Sequence, residues 1–245
     1  MSRRFKIERD YYDNGEMLYQ KKHVTFKPGL TVLVGCNGCG KTTLMRQVRL
    51  QVEKDLKNQC VLNFNNEHDG GQSSIQKSLF YGDMKFVASG LTSSEGERIA
   101  LNMQKIATQI GAMLQKYQNE NEFWIFLDGI DSGFSVDAIV DLKRGLFDTI
   151  FETCPDKDIY IIVSANEYEM ARDEMCFDVV SCRYVNIKSY NRYRNLVLKS
   201  REYKDARIES ATKNRAAEVE APGDSSNEKS GDDHDSITEV SSGDA

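Results

Sequence analysis

The chain has 245 residues, 40% of them hydrophobic, and a net charge of −6. That length holds one α/β domain with a single core and at most a small accessory subdomain. The longest apolar runs, such as Tyr160 to Val163, are only strand-length, which excludes membrane insertion by a helix from what the sequence predicts.

Short strands are predicted at 5–10 and 23–26, joined by a polar turn containing Asp13, Asn14 and Gly15. The basic start of the chain has no apolar core of signal-peptide length, so no signal peptide is expected. Pro28 and Gly29 turn the chain into a buried, β-branched strand over 30–35. From Lys41, apolar residues at Leu44, Val48, Val52 and Leu56 mark one face of a helix. A strand at 60–64 leads into a Gly- and Ser-rich stretch over 68–76 that reads as loop.

Glu95 to Tyr117 is the clearest helix, with Ile99, Met103, Ile106, Ile110 and Leu114 on one side. A strand over 122–128, a helix from Val136 to Phe151 and a buried strand over 158–164 follow. A short helix over 167–173 precedes two segments, 177–181 and 183–187, that read as a hairpin. Helix resumes near Ser189 and runs to about 215. Strands separated by helices predict a mostly parallel sheet with helices on both faces, and the paired strands at the start predict an antiparallel N-terminal edge.

Charge divides the chain. Residues 218–245 carry nine acids and one lysine, which leaves about +2 on residues 1–217. This acidic segment has almost no large apolar residues and is expected to be disordered. The expected organisation is a domain over 1–187, a basic helix over 188–217 and an acidic tail over 218–245. Six cysteines at irregular spacing form no disulfide framework, so reduced thiols in a cytoplasmic setting are expected.

The chemistry-bearing motif is G-x-x-x-x-G-K-T, from Gly35 to Thr42, between a predicted strand and a predicted helix. That is the context of a phosphate-binding P-loop. Glycines let the backbone N–H groups of Gly35, Cys36, Asn37, Gly38, Cys39 and Gly40 converge on phosphate oxygens. Lys41 reaches the terminal phosphates, and the Thr42 hydroxyl, with Thr43 beside it, sits where Mg²⁺ is bound. The bland alternative is a glycine-rich turn matching by chance. Cys36 and Cys39 also form C-x-x-C, but zinc needs two further ligands and none stands out.

The longer pattern, G-x-N-G-x-G-K-T-T over 35–43, resembles the ABC-type P-loop ATPases, a group that includes transporter ATP-binding subunits and the SMC and RecF proteins. Three further stretches resemble that family's motifs in its order. Residues 91–101 resemble the signature motif, with Ser94 and Gly96 in its serine and second glycine positions. Residues 123–133 resemble the Walker B strand and the loop after it, with Asp128 as the Mg²⁺-associated carboxylate. Residues 161–171 resemble the switch strand. The resemblance covers about 1–187 and points to a compact stand-alone relative. It implies ATP and Mg²⁺ as ligands and an ATP-dependent homodimer, in which Ser94 faces nucleotide bound to the second subunit. Ser94 and Glu97 also form a capping box, which needs no nucleotide to explain it.

Two positions depart from the family. Gly129 stands where the family has its catalytic glutamate, and Asn166 where it has the switch histidine. A positioned base contributes typically about 100- to 10,000-fold in rate. Asp131 and Glu167 are candidate substitutes, with Asn166 beside them. The resemblance therefore implies a nucleotide-binding switch with slow hydrolysis, acting in DNA metabolism or in phage and defence processes. The alternatives are a transporter's ATP-binding subunit, with a docking surface near 66–85, and a structural nucleotide-binding protein without turnover. Residues 188–215 hold nine Lys or Arg, three acids and Tyr190, Tyr193 and Tyr203. That composition suits either a nucleic-acid backbone or a solvated helix packed through its tyrosines and Leu196. Tyr11 and Tyr12 are candidates for stacking on adenine.

Overall fold

The computed structural model describes residues 1–7, 18–57, 59–69 and 95–220, except the side chains at 67, 68, 95–99, 211 and 214–220. Strands β1 (Arg3–Lys6) and β2 (His23–Phe26) precede β3 (Gly29–Val34) and helix α1 (Lys41–Asp55). Then come β4 (Val61–Asn65), a short α2 (Asn66–Asp69), α3 (Glu95–Lys116) and β5 (Glu122–Asp128). Helix α4 (Val136–Leu142) passes through a π-helical segment (Lys143–Asp148) into α5 (Thr149–Thr153). β6 (Asp158–Ser164), α6 (Tyr168–Ala171), β7 (Met175–Asp178), β8 (Arg183–Val185) and the long α7 (Tyr190–Glu220) complete the chain.

Six strands form one sheet in the order β4-β5-β6-β3-β7-β8. Every pair is parallel except β7 with β8. The three central strands are buried on both sides, as their unbroken apolar runs require. Alternation sends Phe123, Ile125, Leu127, Ile159, Ile161 and Val163 to one face, where they meet Ile106 and Ile110 of α3, Ile139 and Leu142 of α4, and Tyr193 of α7. The other face carries Trp124, Phe126, Tyr160 and Ile162 against Leu44, Met45, Val48 and Val52 of α1. Full burial of such a side chain stabilises by roughly 1.5–3 kcal/mol, so this apolar stripe suffices to hold α1 on the sheet. Trp124 and Tyr160, neighbours on β5 and β6, stack with ring centroids 3.9 Å apart.

The antiparallel N-terminal pair corrects the expectation of an edge. β1 and β2 form a separate two-stranded sheet. Alternation puts Phe5, Val24 and Phe26 on one side of that pair, and a pair with one apolar side must lie flat on another layer. It does so on the α1 face, where Phe5 meets Trp124 edge-on at 5.4 Å and Phe26 meets Phe177 at 5.0 Å. The antiparallel edge of the main sheet is C-terminal instead, at β8. The first strand lies two residues nearer the N-terminus than predicted. α7 runs to Glu220, three residues into the segment assigned to the acidic tail, whose remainder lies outside the described residues. Among the described residues no helix is long and apolar enough to cross a membrane.

Candidate functional site

Strand register assembles the site. β4, β5 and β6 pair so that Asn65, Asp128 and Ser164 lie side by side in one row at the carboxyl ends of their strands. Each continues the alternation that faces α1. The Asp128 carboxylate is held from both sides: Asn65 Nδ2 donates to its Oδ2 at 3.0 Å, and the Ser164 hydroxyl donates to its Oδ1. The Gly129 N–H donates to Ser164 Oγ at 2.8 Å, which ties the turn after β5 to the same cluster.

Next to this row, β3 ends and the glycine-rich loop begins. The chain leaves β3 through α1 on one face of the sheet and leaves β6 through α6 on the other. Adjacent strands whose connections depart to opposite faces open a crevice at their carboxyl ends, where α/β sheets bind ligands. Gly40 is the α1 N-cap, with φ +98°, and a Cβ there would lie 2.9 Å from the Tyr19 hydroxyl. Only glycine fits that conformation and that approach. Tyr19 donates to the Gly40 carbonyl at 2.9 Å. Among the described residues no side chain caps α1 and its first turn holds no acid, which leaves its N–H groups and positive dipole end open toward a ligand. The Lys41 ammonium, largely buried, lies over the loop and donates to the carbonyls of Gly35 (2.9 Å) and Cys36 (3.2 Å).

These groups enclose a cavity of about 520 Å³. Of the residues singled out in the sequence, Asn37, Gly38, Gly40, Lys41, Thr42, Thr43, Asp128 and Asn166 line it. Gly35 and Cys36 line the adjoining cavity behind the loop. Cys39 is buried, and burial pushes its thiol up to about 11. Among the described residues no three His, Cys, Asp or Glu side chains gather as a metal site.

Asp131 and Glu167 do not line the cavity. Asp131 is fully buried, and its Oδ2 accepts the N–H groups of Asn166 and Glu167, each at 2.7 Å. Its Oδ1 is buried with no hydrogen-bond partner among the described residues. Burial raises its carboxyl above the ordinary range, against the lowering effect of those two N–H bonds. This geometry fastens the turn after β5 to the turn after β6. Asn166 is gripped on its other side as well, because the Tyr193 hydroxyl of α7 donates to its carbonyl at 2.7 Å. Ser94, Tyr11, Tyr12 and most of the 66–85 stretch lie outside the described residues. Gly96 sits in the first turn of α3.

Sequence reasoning missed Leu18, Arg46, Asn65, Ser132 and Ser164 on the wall. Asn65 and Ser164 had a usable signal: each is the polar residue that ends a strand in line with Asp128. It also missed Ser200, whose Oγ accepts the Cys36 N–H at 2.7 Å across more than 160 residues of chain, and no local pattern announces that bond.

The fold and cavity thus define an α/β protein with a glycine-rich strand–helix loop at the carboxyl edge of a mostly parallel sheet. No family model and no curated protein matches the chain.

Proposed function

We propose that the protein binds ATP with Mg²⁺ in this cavity, as an ABC-type P-loop ATPase that works as a slow, dimerising switch. One observation carries the reading: Lys41, Thr42 and Asp128, separated by more than 80 residues of chain, line a single cavity with the uncapped start of α1. The loop's N–H groups and Lys41 suit the phosphates. Thr42 and the doubly held Asp128 suit a cation that takes one carboxylate, one hydroxyl and phosphate oxygens, the usual way Mg²⁺ is held. When bound, Mg²⁺ would supply charge neutralisation at the terminal phosphates.

Slow turnover rests on the rest of the wall. Asp128 is its one carboxylate among the described residues, and Gly129, Ser132 and Asn166 line it as well. Polar neutral groups orient water but accept its proton poorly. Isothermal titration with Mg-ATP tests the central claim. Lys41→Ala removes a charge-assisted contact of about 1.5–3 kcal/mol, so affinity is expected to fall roughly ten- to a hundredfold. Equal affinity in the two proteins would refute nucleotide binding at this loop.

A further inference from the structure

Behind the glycine-rich loop lies a second cavity of about 480 Å³, closed on its far side by α7. Asn37 and Asn166 line both cavities, so the two share a wall. Tyr190, Arg194, Arg201 and Lys204 line it from the helix, and among the described residues no acid does. Their spacing puts them along one stripe of α7, about 21 Å long at 1.5 Å per residue. Arg194 is exposed. Arg201 and Lys204 each approach Asp205 at 3.9 Å, with the Arg201 side chain 69% exposed. Ion pairs that long and that wet contribute little. Lys204 Nζ also donates to the Asn37 carbonyl at 3.2 Å. Tyr190 is 58% exposed and braced by an edge contact with Tyr168 at 5.7 Å, which leaves ring surface open beside the cations.

We infer that this groove binds a single nucleic-acid strand, with successive phosphates on Arg194, Arg201 and Lys204 and a base on Tyr190. A row of cations with an interleaved aromatic ring is the chemistry of single-strand sites, where the cations follow the backbone and the ring takes any base. A concave groove between a helix and a loop admits one strand, whereas a duplex would need a broad convex or flat face. The site names a partner for the proposed switch and rests on that reading only for its purpose. Its ligand touches the back of the loop that would hold the nucleotide's phosphates, so the two ligands are expected to alter each other's affinity by one and the same factor.

The test is fluorescence anisotropy of the full chain with a labelled 20-nucleotide single strand of mixed sequence, first without nucleotide. Saturable binding is expected, with a slope of log affinity against log salt of about −2, from three contacts at about −0.7 each on a single strand. Arg194→Glu with Arg201→Glu should weaken binding at least tenfold and flatten that slope. The charge-matched pair Lys6→Glu with Lys116→Glu, exposed and remote from the groove, should change it far less. Tyr190→Ala should weaken it several-fold without changing the slope. Circular dichroism establishes that each variant is folded. No saturation at protein concentrations up to roughly 100 μM, the weak end of non-specific affinity, would overturn the proposal. So would equal effects of the two double variants, or equal competition by poly-glutamate, which would make the partner an acidic peptide. Strand binding by a protein that fails to bind Mg-ATP would sink the nucleotide reading alone.

Discussion

At the residue scale, the proposed slow turnover turns on Gly129. Its φ of +64° lies in the left-handed region, and among the described residues a Cβ there would meet only Ser132 at 3.6 Å and Asn66 at 3.8 Å. Space is therefore ample, and backbone strain of roughly 1–2 kcal/mol is the obstacle to a side chain. Gly129→Glu should lower the urea midpoint slightly and raise the ATP hydrolysis rate about tenfold or more, because a carboxylate then stands on the cavity wall. Asp131 should behave differently. Its Oδ2 already accepts two N–H groups, so Asp131→Ala leaves two buried donors unpaired and should destabilise by about 2 kcal/mol or more. Asp131→Asn keeps an acceptor oxygen and should retain most of the stability and all of the turnover. If Asp131→Asn instead abolishes a fast wild-type rate, Asp131 is the base and this account is wrong.

Among the elements, α7 is the one whose role exceeds its length. It bonds three backbone groups along the two adjoining cavities: the Asn166 carbonyl through Tyr193, the Cys36 N–H through Ser200 and the Asn37 carbonyl through Lys204. Tyr193 is buried against Tyr168 and the sheet's helical layer, so the helix is anchored by an apolar contact as well as by polar ones. Tyr193 thus packs inward while Tyr190 stays largely exposed and Arg194 and Arg201 line a groove. Ser200→Ala would leave the Cys36 N–H buried without its acceptor, a loss of about 1–3 kcal/mol. It should lower the urea midpoint and weaken Mg-ATP several-fold by loosening the loop. Unchanged ATP affinity at reduced stability would mean that α7 braces the fold without governing the loop.

Across the whole molecule, segments as far apart in the chain as Leu18 and Asn166 line the one cavity. The turn after β5 brings Ser132 to the cavity wall, and Val136, which follows it at the start of α4, is 64% exposed. If nucleotide binds as proposed, an apolar side chain so exposed four residues beyond Ser132 suits a contact between two copies of the chain, the arrangement that the family resemblance implies. With a slowly hydrolysed ATP analogue and Mg²⁺, light scattering should give twice the monomer mass, whereas ADP should leave a monomer. Ser94→Arg should block the change without affecting nucleotide affinity in the monomer. A single mass under all conditions would refute the dimerising switch.

The periodicity of apolar residues by itself determined the elements. β5 and β6 lie where their apolar runs predict, and α1 begins at the lysine of the glycine-rich motif. The reason is local: side-chain alternation and helical spacing are properties of a few consecutive residues. The motif likewise carried the loop, Lys41, Thr42 and Asp128. Only the tertiary structure decided that β1 and β2 lie flat on Trp124 and Phe177 rather than extending the sheet, because their apolar side had to find a matching layer. Only it brought Asn65 and Ser164 to Asp128, since strand register is a relation between segments tens of residues apart. It also buried Asp131 with two N–H groups on its Oδ2 and laid Ser200 against Cys36. Both outcomes depend on which N–H groups fold into reach of one oxygen, and no spacing along the chain encodes that.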